Sequence, residues 1–149
     1  MKGSLQVIIW LFLLVTSTET FSQGYTIKVR ISGLHFAKMY LGYYYGNKTF
    51  VQDTVKTDVD GLTVFSGNEK LPLGLYVLIL PNNNSMEILI GEDQSFEFES
   101  NLFDLFKNTK IKNADETEEY FQYQKYLQNQ QLLLNNLRLQ SNQVKQYPD

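Results

Sequence analysis

The side chains able to do chemistry are few and poorly grouped. The chain has one histidine, His35, and no cysteine. A nucleophile–base pair needs an oriented partner for its base, and His35 sits between Leu34 and Phe36 in a loop expected to be solvated. Glu87, Glu97 and Glu99 could supply paired carboxylates for glycoside cleavage. Alternating acids on a strand more simply keep its wet face soluble. Asp58 and Asp60 precede Gly61, as in a calcium loop, but Lys56 stands where that loop needs an acid. Turn chemistry accounts for Asp58-Val59-Asp60-Gly61. There is no glycine-rich dinucleotide fingerprint, P-loop or HExxH. The sequence therefore predicts no catalytic, metal or cofactor-binding residue, and a protein that is not an enzyme.

Tyrosine is the unusual residue. The chain carries ten Tyr and ten Phe, with Tyr40, Tyr43, Tyr44 and Tyr45 almost contiguous. Strand neighbours alternate, so Tyr40 and Tyr44 share one face and Tyr43 and Tyr45 the other. One pair is expected in the core and one exposed. Tyr40 and Tyr44 are the candidate binding surface, of the kind that takes sugars, peptides or another domain. Packing against Thr63 or Phe65 is the competing reading.

These residues need a β framework to place them. Tyr25–Ser32 alternates apolar and polar residues, the mark of a half-buried strand. Further strands are predicted over 38–45, 49–57, 62–66, 75–80, 86–90 and 96–100, with Gly46-Asn47 and Asp60-Gly61 as hairpin turns. Leu75–Leu80 is apolar on both faces and should be a central, fully buried strand. About seven strands at near-regular spacing predict a mainly β fold, an antiparallel β-sandwich or partly open barrel. Residues 101–108 should form a turn or loop that tucks Leu102, Phe103, Leu105 and Phe106 under the sheet, and Lys110–Lys112 could add a short strand. The sequons at Asn47 and Asn83 lie in turns and carry no function.

The β domain, 23–112, gives way to a helical tail, 113–149. Asp115 and Glu118 resemble a capping box, and Glu116, Glu118 and Glu119 suit the positive end of a helix dipole. Tyr120, Tyr123, Leu127, Gln130, Leu134, Leu137, Ser141 and Val144 then follow a 3-4 spacing to about residue 144. Tyr120, Tyr123, Leu127, Leu134 and Leu137 are the candidate helix interface. Such a helix is about 45 Å long, against roughly 20 Å for a strand. It must overhang the sheet, bend back near Gln128–Gln131, or meet a partner. Residues 122–147 hold eight Gln and four Asn, so a coiled coil is poorly matched and a prion-like tract competes on composition alone. The preferred reading is a chain that stops inside a larger helical region.

Residues 1–22 pair Lys2 with the apolar run Val7–Val15 and a small-residue exit at Thr20 and Ser22. That is the pattern of a secretory signal peptide cut after Ser22. The run is too short to span a bilayer. The expected product is exported, periplasmic or outer-envelope associated, and soluble, without stable membrane insertion. Gln23 in place of cysteine leaves no lipid anchor. A net charge of −3 argues against nucleic-acid partners.

Gly24–Leu34, Tyr40-Leu-Gly-Tyr-Tyr-Tyr-Gly46, Asp53-Thr54, Asp60-Gly61 and Leu73-Gly-Leu-Tyr-Val77 resemble the domain of unknown function 4369 family. That β-rich domain stands at the N-terminus of exported thioredoxin-like thiol-disulfide oxidoreductases of Bacteroidota. Tyr120–Leu127 is similar to the helix that follows it. The resemblance implies an accessory or interaction domain, with a thioredoxin-like redox domain or another exported protein as partner. The CxxC pair of those enzymes has no counterpart here, so no catalytic residue carries over. Two other roles stay open: a small-ligand or glycan-binding sandwich using the exposed tyrosines, and a structural protein that self-associates through the helix.

Overall fold

A computed structural model describes residues 24–81 and 84–146, with side chains as far as residue 143. The signal-peptide segment and Asn83 lie outside the described residues. Eight strands form two open four-stranded sheets in the orders β4-β1-β7-β8 and β3-β2-β5-β6. They are β1 Tyr25–Ser32, β2 Lys38–Tyr45, β3 Lys48–Lys56, β4 Leu62–Gly67, β5 Gly74–Ile79, β6 Ser85–Ile90, β7 Ser95–Asn101 and β8 Lys110–Lys112. Among the described residues one helix, α1, runs Asp115–Gln146. The sheets do not close on each other, so the fold is a sandwich and not a barrel. Its strand pairs are antiparallel except β1 with β7, which run parallel.

The alternation in the sequence becomes the two inner faces. Ile27, Val29, Phe65, Phe96 and Phe98 from one sheet are sealed against Met39, Leu41, Tyr76, Leu78, Met86, Ile88 and Ile90 from the other. Burying one such side chain is worth roughly 1.5–3 kcal/mol. The expected Asp60-Gly61 hairpin does not form, because β3 and β4 lie in different sheets; the turn that carries the chain from one sheet to the other bends at Gly61, at φ 75°. Asp58 Oδ1 accepts from Asp60 N and Leu62 N there, so this carboxylate builds the turn.

Two further local expectations are corrected, and a bulge adds to them. β5 is central, but only Val77 of its outer-face residues is buried, while Leu75 and Ile79 are half-buried. Among the described residues no crossover helix covers that side of the sheet. In the 101–108 loop, Leu102, Leu105 and Phe106 pack against the core, whereas Phe103 is 90% exposed. Asn101 Oδ1 accepts from Phe103 N, an Asx turn that rolls the ring outward. Finally, β2 pairs with β3 through a register shift at Leu41/Gly42, which leaves Gln52 as the extra residue of a bulge.

One open side of the sandwich presents the edge strands β6 and β8, and the first turns of α1 lie across both. Asn113, at φ 65°, reverses the chain after β8, a conformation that Asn tolerates better than most residues. Phe121 then enters the core, edge-on to Phe98 at 6.0 Å and stacked on Phe106 at 5.6 Å between ring centres. The helix is unbroken through Gln128–Gln131. At 1.5 Å per residue it is about 48 Å long, so of the three alternatives it overhangs.

Candidate functional site

The capping box does not form as expected. Asp115 is already inside the helix, and the carbonyl of Ala114 accepts the first turn's Glu118 N at 3.0 Å. Glu116 instead reaches back to the sandwich, where its Oε2 accepts from Glu92 N at 3.2 Å. Thr117 Oγ1 donates to Leu89 O on the edge of β6 at 2.7 Å. The acids still sit where the helix dipole favours them.

Glu87, on the outer face of β6, is the polar centre of this junction. One carboxylate oxygen accepts from Tyr44 Oη and the other from Tyr120 Oη, each at 3.0 Å. Gln124 Nε2 lies 3.5 Å away. The two phenols thus bridge β2, β6 and α1 through one carboxylate, in hydrogen bonds strengthened by its charge. Partial burial raises the Tyr44 pKa above its ordinary value, and the bond to Glu87 adds to the rise. Burial also raises that of Tyr120; the Gln124 bond lowers it and Glu87 raises it again. Gln124 Oε1 is buried without a partner.

The expected tyrosine pair is divided between different tasks. Tyr40 and Tyr44 do share the outer face, since Tyr40 pairs with Ile79 and Gly42 with Val77. Tyr40 is half-buried, and the hydroxyl of Tyr44 is taken by Glu87, so they do not form a free pair. On the inner side, Tyr43 stacks on Phe50 at 5.7 Å and tilts against Tyr76 at 6.3 Å. Tyr45 meets only the edge of Phe50 and is 76% exposed. Thr63 and Phe65 stand in the opposite sheet, where Thr63 Oγ1 donates to Met39 Sδ. They are not strand neighbours of these tyrosines.

The remaining candidate chemistry disperses. His35 Nδ1–H donates to Val59 O at 2.6 Å on the exposed surface. Glu97 and Glu99 lie on β7, in the sheet opposite Glu87, and are flanked by Lys28 and Lys112. Among the described residues no three His, Asp or Glu side chains gather to hold a metal.

The helix interface residues occupy the free side of α1. At about 100° per residue, Ala114, Thr117, Phe121, Gln124 and Lys125 share the side held by the sandwich. Tyr123, Leu127, Gln130, Leu134 and Leu137 fall on the opposite side. All of these last five are exposed, while Tyr120 at the border is half-buried against Glu87. From Tyr126 to Gln143 every residue is exposed, including Leu132, Leu133 and Leu139.

Sequence reasoning missed Phe121 and Thr117, and weighed Glu87 only as one of three strand acids. The spacing of Ala114, Thr117 and Phe121 by three and four carried a signal for the docked face. It was masked by the stronger tyrosine–leucine spacing one residue out of step. Nothing along the chain tied Glu87 to Tyr44 and Tyr120, because these partners are distant in sequence.

The family model described as "Domain of unknown function (DUF4369)" matches residues 25–120. The chain belongs to the DUF4369 family. The matched span runs from β1 into the second turn of α1, so the helix start is part of the family's unit. No curated protein matches the chain. A crystal structure of (S)-allantoin synthase is similar over 72% of this chain at 13% identity, with a TM-score of 0.41. The match takes in 50% of that structure's chain, and a likeness so slight carries no argument about this DUF4369 domain. Among its described residues no helix is long and apolar enough to cross a membrane.

Proposed function

We propose that this DUF4369 protein is an exported, non-enzymatic interaction module. Its sandwich is a scaffold that grips the start of α1 and presents the rest of the helix to a protein partner. The observation that carries this reading is the run of wholly exposed residues from Tyr126 to Gln143, which includes six leucines. Water-exposed apolar side chains at this density mark interaction surfaces, and a helix of this length is marginal in water without tertiary support. The similarity to domains that precede thioredoxin-like redox domains makes a redox protein the first heterologous partner to test. A photo-reactive residue at Leu134, in cells that export the chain, should yield covalent adducts of defined mass. The same residue at Val64, on the outer face of β4, should yield none. Absence of any adduct at Leu134 overturns the reading.

A second reading, a small-ligand or glycan site, is favoured by one feature. A cleft of about 380 Å³ is lined by Tyr43, Tyr44, Tyr45, Leu73 and Tyr76. It shifts the binding tyrosines from Tyr40 to Tyr45. A glycan that changes tyrosine emission, and fails to do so in Tyr45→Ala, would support it; a glycan array without signal removes it.

A further inference from the structure

We infer that the partner of the exposed seam is a second copy of this chain, with the two α1 helices packed antiparallel. This deepens the proposed function and rests on it. The seam of Tyr123, Leu127, Gln130, Leu134, Leu137 and Ser141 keeps a 4-3-4-3-4 spacing, which is the pattern of one helix packing on another. From Leu127 onward the seam is exposed, and Tyr123 borders a cleft shared with Leu73 and Leu89, so a second helix can lie along it without displacing Phe121 or the Glu87 junction.

Charge and layer composition select the direction. Asp115, Glu116, Glu118 and Glu119 crowd the first turns, and residues 126–143 carry a single charge, Arg138. A parallel pair would set the two acidic ends and the two like dipole ends side by side, which is repulsive. It would also stack Gln130 on Gln130 and Ser141 on Ser141. Reversing one helix separates the acidic ends by most of the helix length and opposes the dipoles. In the register that faces Leu127 with Leu137 of the second copy, Gln130 meets Leu134 and Ser141 meets Tyr123. Each layer then holds at least one apolar side chain, and a two-fold axis repeats every contact, as a closed dimer requires. The two sandwiches end at opposite ends of the pair.

Light scattering and sedimentation of the purified chain at tens of micromolar should give a dimer. Leu134→Lys with Leu137→Lys should weaken it by more than about a hundredfold, or roughly 2.7 kcal/mol, while leaving the β-sheet spectrum intact. Leu132→Lys with Leu139→Lys, on the side of α1 in line with Phe121, should leave the dimer unchanged. The absence of native cysteine allows a single spin label at Glu118→Cys. The antiparallel pair places the two labels about 40 Å apart, and a parallel pair would bring them within about 20 Å. A monomeric wild-type chain, a dimer indifferent to the first variant, a dimer lost in the second, or a short label distance each overturns the inference. If Leu134 cross-links to a different protein while the pure chain stays monomeric, the interaction module stands and the self-pairing falls.

Discussion

Between Ala114 and Lys125, side chains three or four residues apart on one face of α1 are buried or half-buried against the sandwich; between Tyr126 and Gln143 none is. Both stretches belong to one continuous helix and both are rich in aromatic or aliphatic residues. In the first, Phe121 is packed between Phe98 and Phe106, Thr117 bonds to the β6 edge, and Tyr120 shares Glu87 with Tyr44. In the second, leucines face solvent. The contrast separates two sources of helicity. The docked part is helical because tertiary burial holds it, whereas the projecting part has only propensity and a covalently attached, already formed turn to extend. Its leucines add little to the stability of one chain, so they are surplus to folding and available for recognition.

The strongest way to break this comparison is to cut the anchor. Phe121→Ala should cost about 3–5 kcal/mol, the usual loss for emptying an aromatic site in a core. The denaturant midpoint measures it. Leu134→Ala, in chain dilute enough to be monomeric, should stay within about 0.5 kcal/mol of the parent. Equal losses at the two positions would erase the distinction between the two parts of the helix.

The next effect is at the carboxylate junction. Glu87→Gln keeps the shape but removes the charge that strengthens both phenol bonds, and should cost about 1–2 kcal/mol. Thr117→Val should cost about 1 kcal/mol by stripping Leu89 O of its donor. Both are read from the same unfolding curves.

A smaller effect follows from pH. Tyr44 and Tyr120 have raised pKa values when folded, chiefly through burial. Their contribution is therefore fully present below the free phenol value of about 10 and is lost as pH rises through the raised folded values. Tyr25 and Tyr76, raised mainly by burial too, lose stability in the same window. Alkaline unfolding followed by circular dichroism should be less steep in the Tyr44→Phe, Tyr120→Phe double variant. An unchanged profile would show that the junction does not depend on these protons.

The sandwich could be read from the chain because inward and outward residues alternate in β1, β6 and β7; the Asp60-Gly61 turn was legible as a turn, but not as the crossing between sheets that it makes. The helix followed from its period, while its length left overhang, a bend or a partner as alternatives. What could not be read depended on contacts between distant segments. Gln94, in the turn between β6 and β7, is buried with its amide spanning Leu71 N, Leu71 O and Gly91 O. Glu87 passes for a solubilising acid until β2 and α1 converge on it. The division of α1 at Lys125 is set by where β6 and β8 end, which no local pattern records. The parallel pairing of β1 with β7 is likewise a property of the assembled sheet.

Hydrogen exchange along α1 at two protein concentrations tests the central claim most directly. In dilute chain, amides up to about Lys125 should be protected together with the sandwich strands, and those from Tyr126 to Gln143 should exchange fast. At concentrations that favour the dimer, protection should extend along the projecting part while the docked part is unchanged. Uniform protection of the whole helix at both concentrations, or fast exchange that begins before Phe121, would contradict the account.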